Sequence, residues 1–124
     1  MRTGLDCRDV TIRFGAFTAL NAVNVAFAPG LLHGVIGPNG AGKTTLINAL
    51  SGRQALTAGQ VLLDGRDISA LPAHARARMG IGRSFQITKN FPTMTVFENL
   101  RLAAQASRFG VQPFWRVVAG YPNL

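Results

Sequence analysis

Residues Gly37–Thr45 read GPNGAGKTT. Gly37, Gly42, Lys43 and Thr44 meet the G-x-x-x-x-G-K-[ST] spacing of a phosphate-binding loop. The glycines let the backbone curl so that successive N–H groups point inward at phosphate oxygens. A helix that follows such a loop adds the positive end of its dipole. Lys43 supplies a point charge suited to β and γ phosphates, and the Thr44 hydroxyl is placed to ligate Mg²⁺. The flanks agree with this reading. LLHGVIG, residues 31–37, is a short apolar run of the kind that forms a buried strand, and Lys43 to Leu50 favours a helix with Gly52 as its stop. The G-x-G-x-x-G spacing of a dinucleotide turn is not met.

Upstream of the loop, Val10, Ile12 and Phe14 alternate with Thr11 and Arg13, and Val23, Val25 and Phe27 repeat the period of two. Both stretches read as half-buried strands. Downstream, QVLLDGRDI carries the Asp-Gly pair of a hairpin turn at Asp64 and Gly65. A short helix is expected from Pro72 to Met79, with proline in its first turn and Gly80 beyond its end. IGRSFQ then reads as a strand. Thr95 and Glu98 have the spacing of a capping box, so a further helix should start there and run towards Gly110. The tail from residue 111 has apolar residues without a period and receives no assignment.

The chain has 124 residues and 48% apolar content, enough for one domain with a core. Between Phe14 and Gly42 there is no Lys, Arg, Asp or Glu, yet Asn21, Asn24, Pro29, Gly30 and His33 break the stretch. No apolar run there approaches the ~20 residues of a membrane span. The start, MRTGLDCRD, mixes charges where a signal peptide needs an apolar segment. The single Cys7 has no intrachain partner, which excludes a disulfide framework and suits a reducing cytoplasm. The formal net charge of +8 is compatible with nucleic acid, anionic lipid or nucleotide. Its arginines are scattered, with no aromatic-interleaved basic stripe, so they read as solvated surface rather than a nucleic-acid face.

GPNGAGKTTLINALSG, AGQVLLDGRDI and GIGRSFQITKNFPTMTVFENL together resemble the nucleotide-binding subunit of ABC transporters, most of all the branched-chain amino-acid (Liv-type) importers. The resemblance runs from about Cys7 to Gln105. It implies an α/β P-loop NTPase fold, the ABC nucleotide-binding domain, here incomplete. An antiparallel β portion and the start of a helical subdomain are expected, with residues 1–91 in the core and 92–124 opening the subdomain. It implies ATP and Mg²⁺ as cofactors, held by Gly37, Asn39, Gly40, Ala41, Gly42, Lys43, Thr44 and Thr45. Thr44 and Gln86, the Q-loop glutamine, lie towards the metal. Phe14 matches the aromatic that stacks on adenine, with Phe17 as the fallback. The implied partners are transmembrane permease subunits and a second ATP-binding subunit, with a periplasmic binding protein engaged indirectly and no nucleic acid. The implied location is the cytoplasmic face of the plasma membrane. Lipid or lipopolysaccharide export, a soluble ABC protein acting on nucleic acid, and a non-functional truncated product are the alternatives.

Two stretches imitate parts of the family that the sequence does not otherwise contain. LSGRQ, Leu50 to Gln54, imitates the LSGGQ signature but ends the helix that starts at Lys43. VLLD, Val61 to Asp64, imitates a Walker B strand, but Gly65 stands where the family has its catalytic Glu. Asp6 and Asp9 precede the first strand, Asp64 and Asp67 flank the hairpin turn, and Glu98 serves a cap. Neither His33 nor His74 is placed as the switch histidine. The expectation is therefore the front part of an ABC ATPase that binds ATP without significant turnover on its own.

Overall fold

The computed structural model describes residues 4–38, 40, 42–84 and 90–109. They fall into two units, Met1–Arg83 and Ser84–Leu124. The first unit is built on a four-stranded antiparallel sheet in the order β2-β1-β3-β4. Its strands are β1 (Leu5–Phe14), β2 (Phe17–Phe27), β3 (Ala58–Leu63) and β4 (Arg66–Asp67). β1 starts earlier than its alternation indicates, so Asp6 and Asp9 lie within it. β1 and β2 form a hairpin over Gly15 and Ala16, with Phe14 opposite Phe17. The register slips between Cys7 and Val10, where Asp9 takes a φ of 49°. Asn24 holds this bulge: its Oδ1 accepts the Asp9 N–H at 3.0 Å and its Nδ2 donates to Asp9 Oδ1 at 2.8 Å. Thr11 is buried beside Val10 and Ile12, and its hydroxyl accepts the Ala22 N–H at 3.0 Å. That bond is what allows a polar side chain into the core.

The turn between β3 and β4 places Asp64 at φ 49° and Gly65 at φ 80°. Two successive positive φ angles are what a tight hairpin needs and what Asp-Gly tolerates. Asp64 is further tied to Gly4, accepting its N–H on Oδ1 at 3.0 Å and donating its own N–H to the Gly4 carbonyl at 2.8 Å. α1 (Lys43–Ser51) lays Leu46, Ala49 and Leu50 into a core with Cys7, Val10, Ile12, Leu20, Val61 and Ile68. α1 ends at Gly52 in the left-handed region, φ 80°, as expected. α2 (Ala73–Arg78) starts one residue after Pro72, whose extended backbone makes it the N-cap rather than a helical residue.

Residues 31–37, read as a buried strand, form no strand. Leu32 is fully exposed and Ile36 is 95% exposed. An apolar run becomes a strand only when neighbours accept its backbone hydrogen bonds, and none of the described strands pairs with it. IGRSFQ is corrected likewise: residues 81–84 are not a strand, and 85–86 lie outside the described residues. In the second unit α3 (Val96–Phe109) begins at the expected capping box. Thr95 Oγ1 accepts the Glu98 N–H at 3.2 Å, and Glu98 Oε2 accepts the Thr95 N–H at 2.7 Å and its hydroxyl at 2.9 Å. Those bonds, the backbone one first, hold the Glu98 carboxyl below its ordinary range. A lowered carboxylate value means that the cap's contribution is present above the ordinary glutamate range and is lost as pH falls through the lowered value. Gly110, the expected stop of α3, and the tail from 111 lie outside the described residues. Among the described residues no helix is long and apolar enough to cross a membrane.

Cys7 offers a direct reporter of this fold. It is buried on β1, and burial first, then the Asp6 charge, push its thiol up to about 11. Alkylation at pH 8 should therefore be slow in the native chain and fast in denaturant, because only the thiolate reacts. The same shift predicts that stability is full below pH 9.0 and declines as pH rises through about 11. A native thiol that alkylates at the denatured rate would contradict the placement of β1 in the core.

Candidate functional site

The site forms where α1 leaves the glycine loop. Gly42 is the helix N-cap, with φ 92°. A Cβ there would lie 2.9 Å from both the Ala19 carbonyl oxygen and Leu20 Cδ2, so glycine is required by the close seating on β2 as well as by the angle. The first backbone bond of the helix runs from the Leu46 N–H to the Gly42 carbonyl at 2.9 Å. The amides of Lys43, Thr44 and Thr45 precede it and have no intrahelical acceptor. Glycine has no side chain with which to cap them, and α1 has no acidic residue in its first turn. This helix end is set up to meet an anion supplied from outside.

A cleft of about 270 Å³ opens at that point, lined by Phe17, Ala19, Gly40, Gly42, Lys43, Thr44 and Thr45. Lys43 is half-buried, and its Nζ donates to the Gly37 carbonyl, folding the side chain back along the loop. Thr44 is exposed beside it and Thr45 is half-buried. The donors in the cleft are thus an ammonium, two hydroxyls and a run of helix-terminal amides, a set that fits phosphate oxygens. Asn39, Ala41 and Gln86 lie outside the described residues. Phe14 ends β1 at 48% exposure and does not line the cleft, whereas Phe17, at the start of β2, does. The hairpin turn at Gly15 accounts for the difference, since it swings the chain so that Phe17 follows on the strand next to the loop.

The carboxylates and histidines with resolved contacts are engaged elsewhere. Asp64 serves the Gly4 backbone. Asp67 accepts from the Ser69 hydroxyl at 2.5 Å, the Ser69 N–H at 2.8 Å and Gln60 Nε2 at 3.0 Å, bonds that hold its carboxyl low. His33 stands edge-on to the Phe27 ring, with Nε2 at 3.1 Å from the Ala28 carbonyl oxygen. LSGRQ is a helix end, with Leu50 and Ser51 buried and Gly52 at the stop. Arg76, read from the sequence as solvated surface, is 2% exposed. It donates to four backbone carbonyls: Ala49 (2.7 Å) and Leu50 (3.0 Å) on α1, Leu71 (2.9 Å) and Ser69 (3.0 Å). The sequence signal for this was available in the unmet carbonyls at the end of any helix, but the partner lies 26 or 27 residues away.

The family profile described as ABC transporter matches residues 20–119. The high-affinity branched-chain amino acid transport ATP-binding protein BraF of Pseudomonas aeruginosa is 44% identical over 99 residues, 80% of this chain and 39% of that protein. LivG of Escherichia coli K12, named for the same transport, is 43% identical over the same shares. The ribose import ATP-binding protein RbsA 1 of Rubrobacter xylanophilus is 41% identical over 90% of this chain and 22% of that protein. Among solved structures, the ADP conformation of MJ1267, an ATP-binding cassette of an ABC transporter, superposes with a TM-score of 0.66 at 34% identity. It covers 71% of this chain and 34% of that one. The chain thus spans about two fifths of the length of the branched-chain transport relatives it matches.

Proposed function

The chain belongs to the ABC transporter family, and from that premise we propose that it binds Mg-ATP at the α1 cleft as part of an importer's ATP-binding subunit. The observation that carries this is the Gly42-capped helix end, whose uncapped amides share one cleft with Lys43 and Thr44. In this reading the backbone of Gly37, Asn39, Gly40, Ala41 and Gly42 wraps the phosphates, and Lys43 turns from Gly37 to meet them. Thr44 and Gln86 would hold the Mg²⁺, which would neutralise phosphate charge. Thr45, half-buried, adds an amide and a hydroxyl. Phe17 is the better-placed platform for the adenine, with Phe14 the alternative from the resemblance. Residues 1–91 form the core portion and 92–124 open the helical subdomain.

Photolabelling with an azido-ATP tests the cleft. The label should fall on the peptide containing Phe17 to Leu20 and be displaced by unlabelled ATP. Labelling that excess ATP leaves unchanged would defeat the assignment.

In the complete protein, hydrolysis in a pair of such subunits drives solute import through transmembrane permease subunits at the cytoplasmic face of the membrane. A periplasmic binding protein delivers the solute, and nucleic acid has no part. Branched-chain amino acids are the proposed solute, supported by the names of BraF and LivG. The 124 residues alone should show negligible ATP turnover, because among the described residues no carboxylate borders the cleft. Asp64→Asn keeps an oxygen for the Gly4 amide, so the fold should survive and any residual rate should stay the same. A substantial rate that Asp64→Asn abolishes would place VLLD in the hydrolytic machinery.

A further inference from the structure

We infer that Arg76 is a positioning residue for the nucleotide cleft, acting through α1 from the opposite end of that helix. The inference rests on the reading of the cleft as a nucleotide site. Arg76 Nη1 donates to the Ala49 and Leu50 carbonyls in the last turn of α1, while Nε and Nη2 hold the Leu71 and Ser69 carbonyls. One guanidinium therefore joins the end of α1 to the segment between β4 and α2. Its position is fixed sterically as well. A Cβ on Gly52 would lie 3.0 Å from Arg76 Nε and 3.0 Å from the Ala73 nitrogen, so the chain turns off α1 directly against this side chain.

A buried cation is costly unless its donors are met. Here the acceptors on α1 are carbonyls at the negative end of a helix dipole, which suit a guanidinium. Burial lowers the Arg76 value from the ordinary arginine range, and the Asp67 charge partly offsets it. The nine-residue helix is about 13 Å long and rigid between its ends. Anchoring its last turn sets how far its first turn, with the amides of Lys43, Thr44 and Thr45, projects into the cleft. Hydrogen bonds to phosphate depend steeply on distance and angle, so a small axial slip weakens several at once. The effect depends on the four carbonyl bonds and not on net charge.

Mg-ATP affinity of the whole chain tests this with Arg76→Met, Arg76→Lys and, as a control on β3 outside the core cluster that α1 packs into, Leu62→Ala. Hydrogen exchange at the Leu46 amide, which bonds Gly42, reports the far end of α1 without nucleotide. Arg76→Met should weaken Mg-ATP binding about tenfold and speed Leu46 exchange. Arg76→Lys should recover part of both. Leu62→Ala, compared at equal loss in denaturation midpoint, should change neither. Folded Arg76→Met with wild-type affinity and wild-type Leu46 exchange would overturn the inference, as would equal losses in Leu62→Ala. A folded wild type that binds no Mg-ATP would instead refute the nucleotide reading and, with it, the role assigned to Arg76.

Discussion

Backbone amides of residues 31–36 should exchange at nearly the rate of an unstructured peptide, while those of β1 and β3 are protected by orders of magnitude. The contrast follows from what each segment touches. β1 is paired on both sides, by β2 and β3. Residues 31–36 pair with no described strand, and Leu31, Leu32, Val35 and Ile36 are all exposed. Burying such a side chain is worth about 1.5–3 kcal/mol, so four of them represent about 6–12 kcal/mol of unused stabilisation. That is as large as a typical net stability of about 5–15 kcal/mol. The chain alone is therefore expected to be marginal and prone to associate through this strip. A polypeptide supplying the length of BraF beyond the 39% matched here should, when co-expressed, slow exchange over residues 31–36 by about a hundredfold or more. Strong protection of residues 31–36 in a monodisperse monomer of the chain alone would show that something else covers them.

The parts of the fold legible in the sequence are those specified by residues close together. The Gly42-Lys43 helix start, the Gly52 stop, the Asp64-Gly65 turn and the Thr95–Glu98 cap each rest on partners within a few positions. Where the partner is distant, the reading failed. The apolar run before the loop has the composition of a buried strand, but composition cannot supply neighbouring strands. Arg76 looked like one of many scattered charges, because its carbonyl partners on α1 are brought to it only by folding. Which of Phe14 and Phe17 lines the cleft is likewise decided by folding. The two positions pair across a two-residue turn, and only the sheet decides which one borders the cleft. At the candidate site itself, spacing sufficed to find the loop, because glycines, lysine and helix end are contiguous.

Replacing Lys43 with Ala should have the largest effect of any single side chain in the cleft. Among the described residues Lys43 is the cation lining it, and hydrogen bonds to a charged partner are worth about 1.5–3 kcal/mol each. Losing one such bond to the terminal phosphates, at about 2–2.7 kcal/mol, corresponds to a weakening on the order of 30- to 100-fold. In the unliganded chain the same Nζ donates to the Gly37 carbonyl, so the substitution also frees the loop. Cys7 protection and the circular dichroism of the two proteins separate that effect from unfolding. The direct test is a calorimetric titration of the wild-type chain and Lys43→Ala with ATP in the presence of Mg²⁺, both shown to be folded. Saturable one-to-one binding by the wild type, with Lys43→Ala weakened by at least about 30-fold, is the result expected from the cleft described here. Equal affinities, or no saturable binding by a folded wild type, would contradict it.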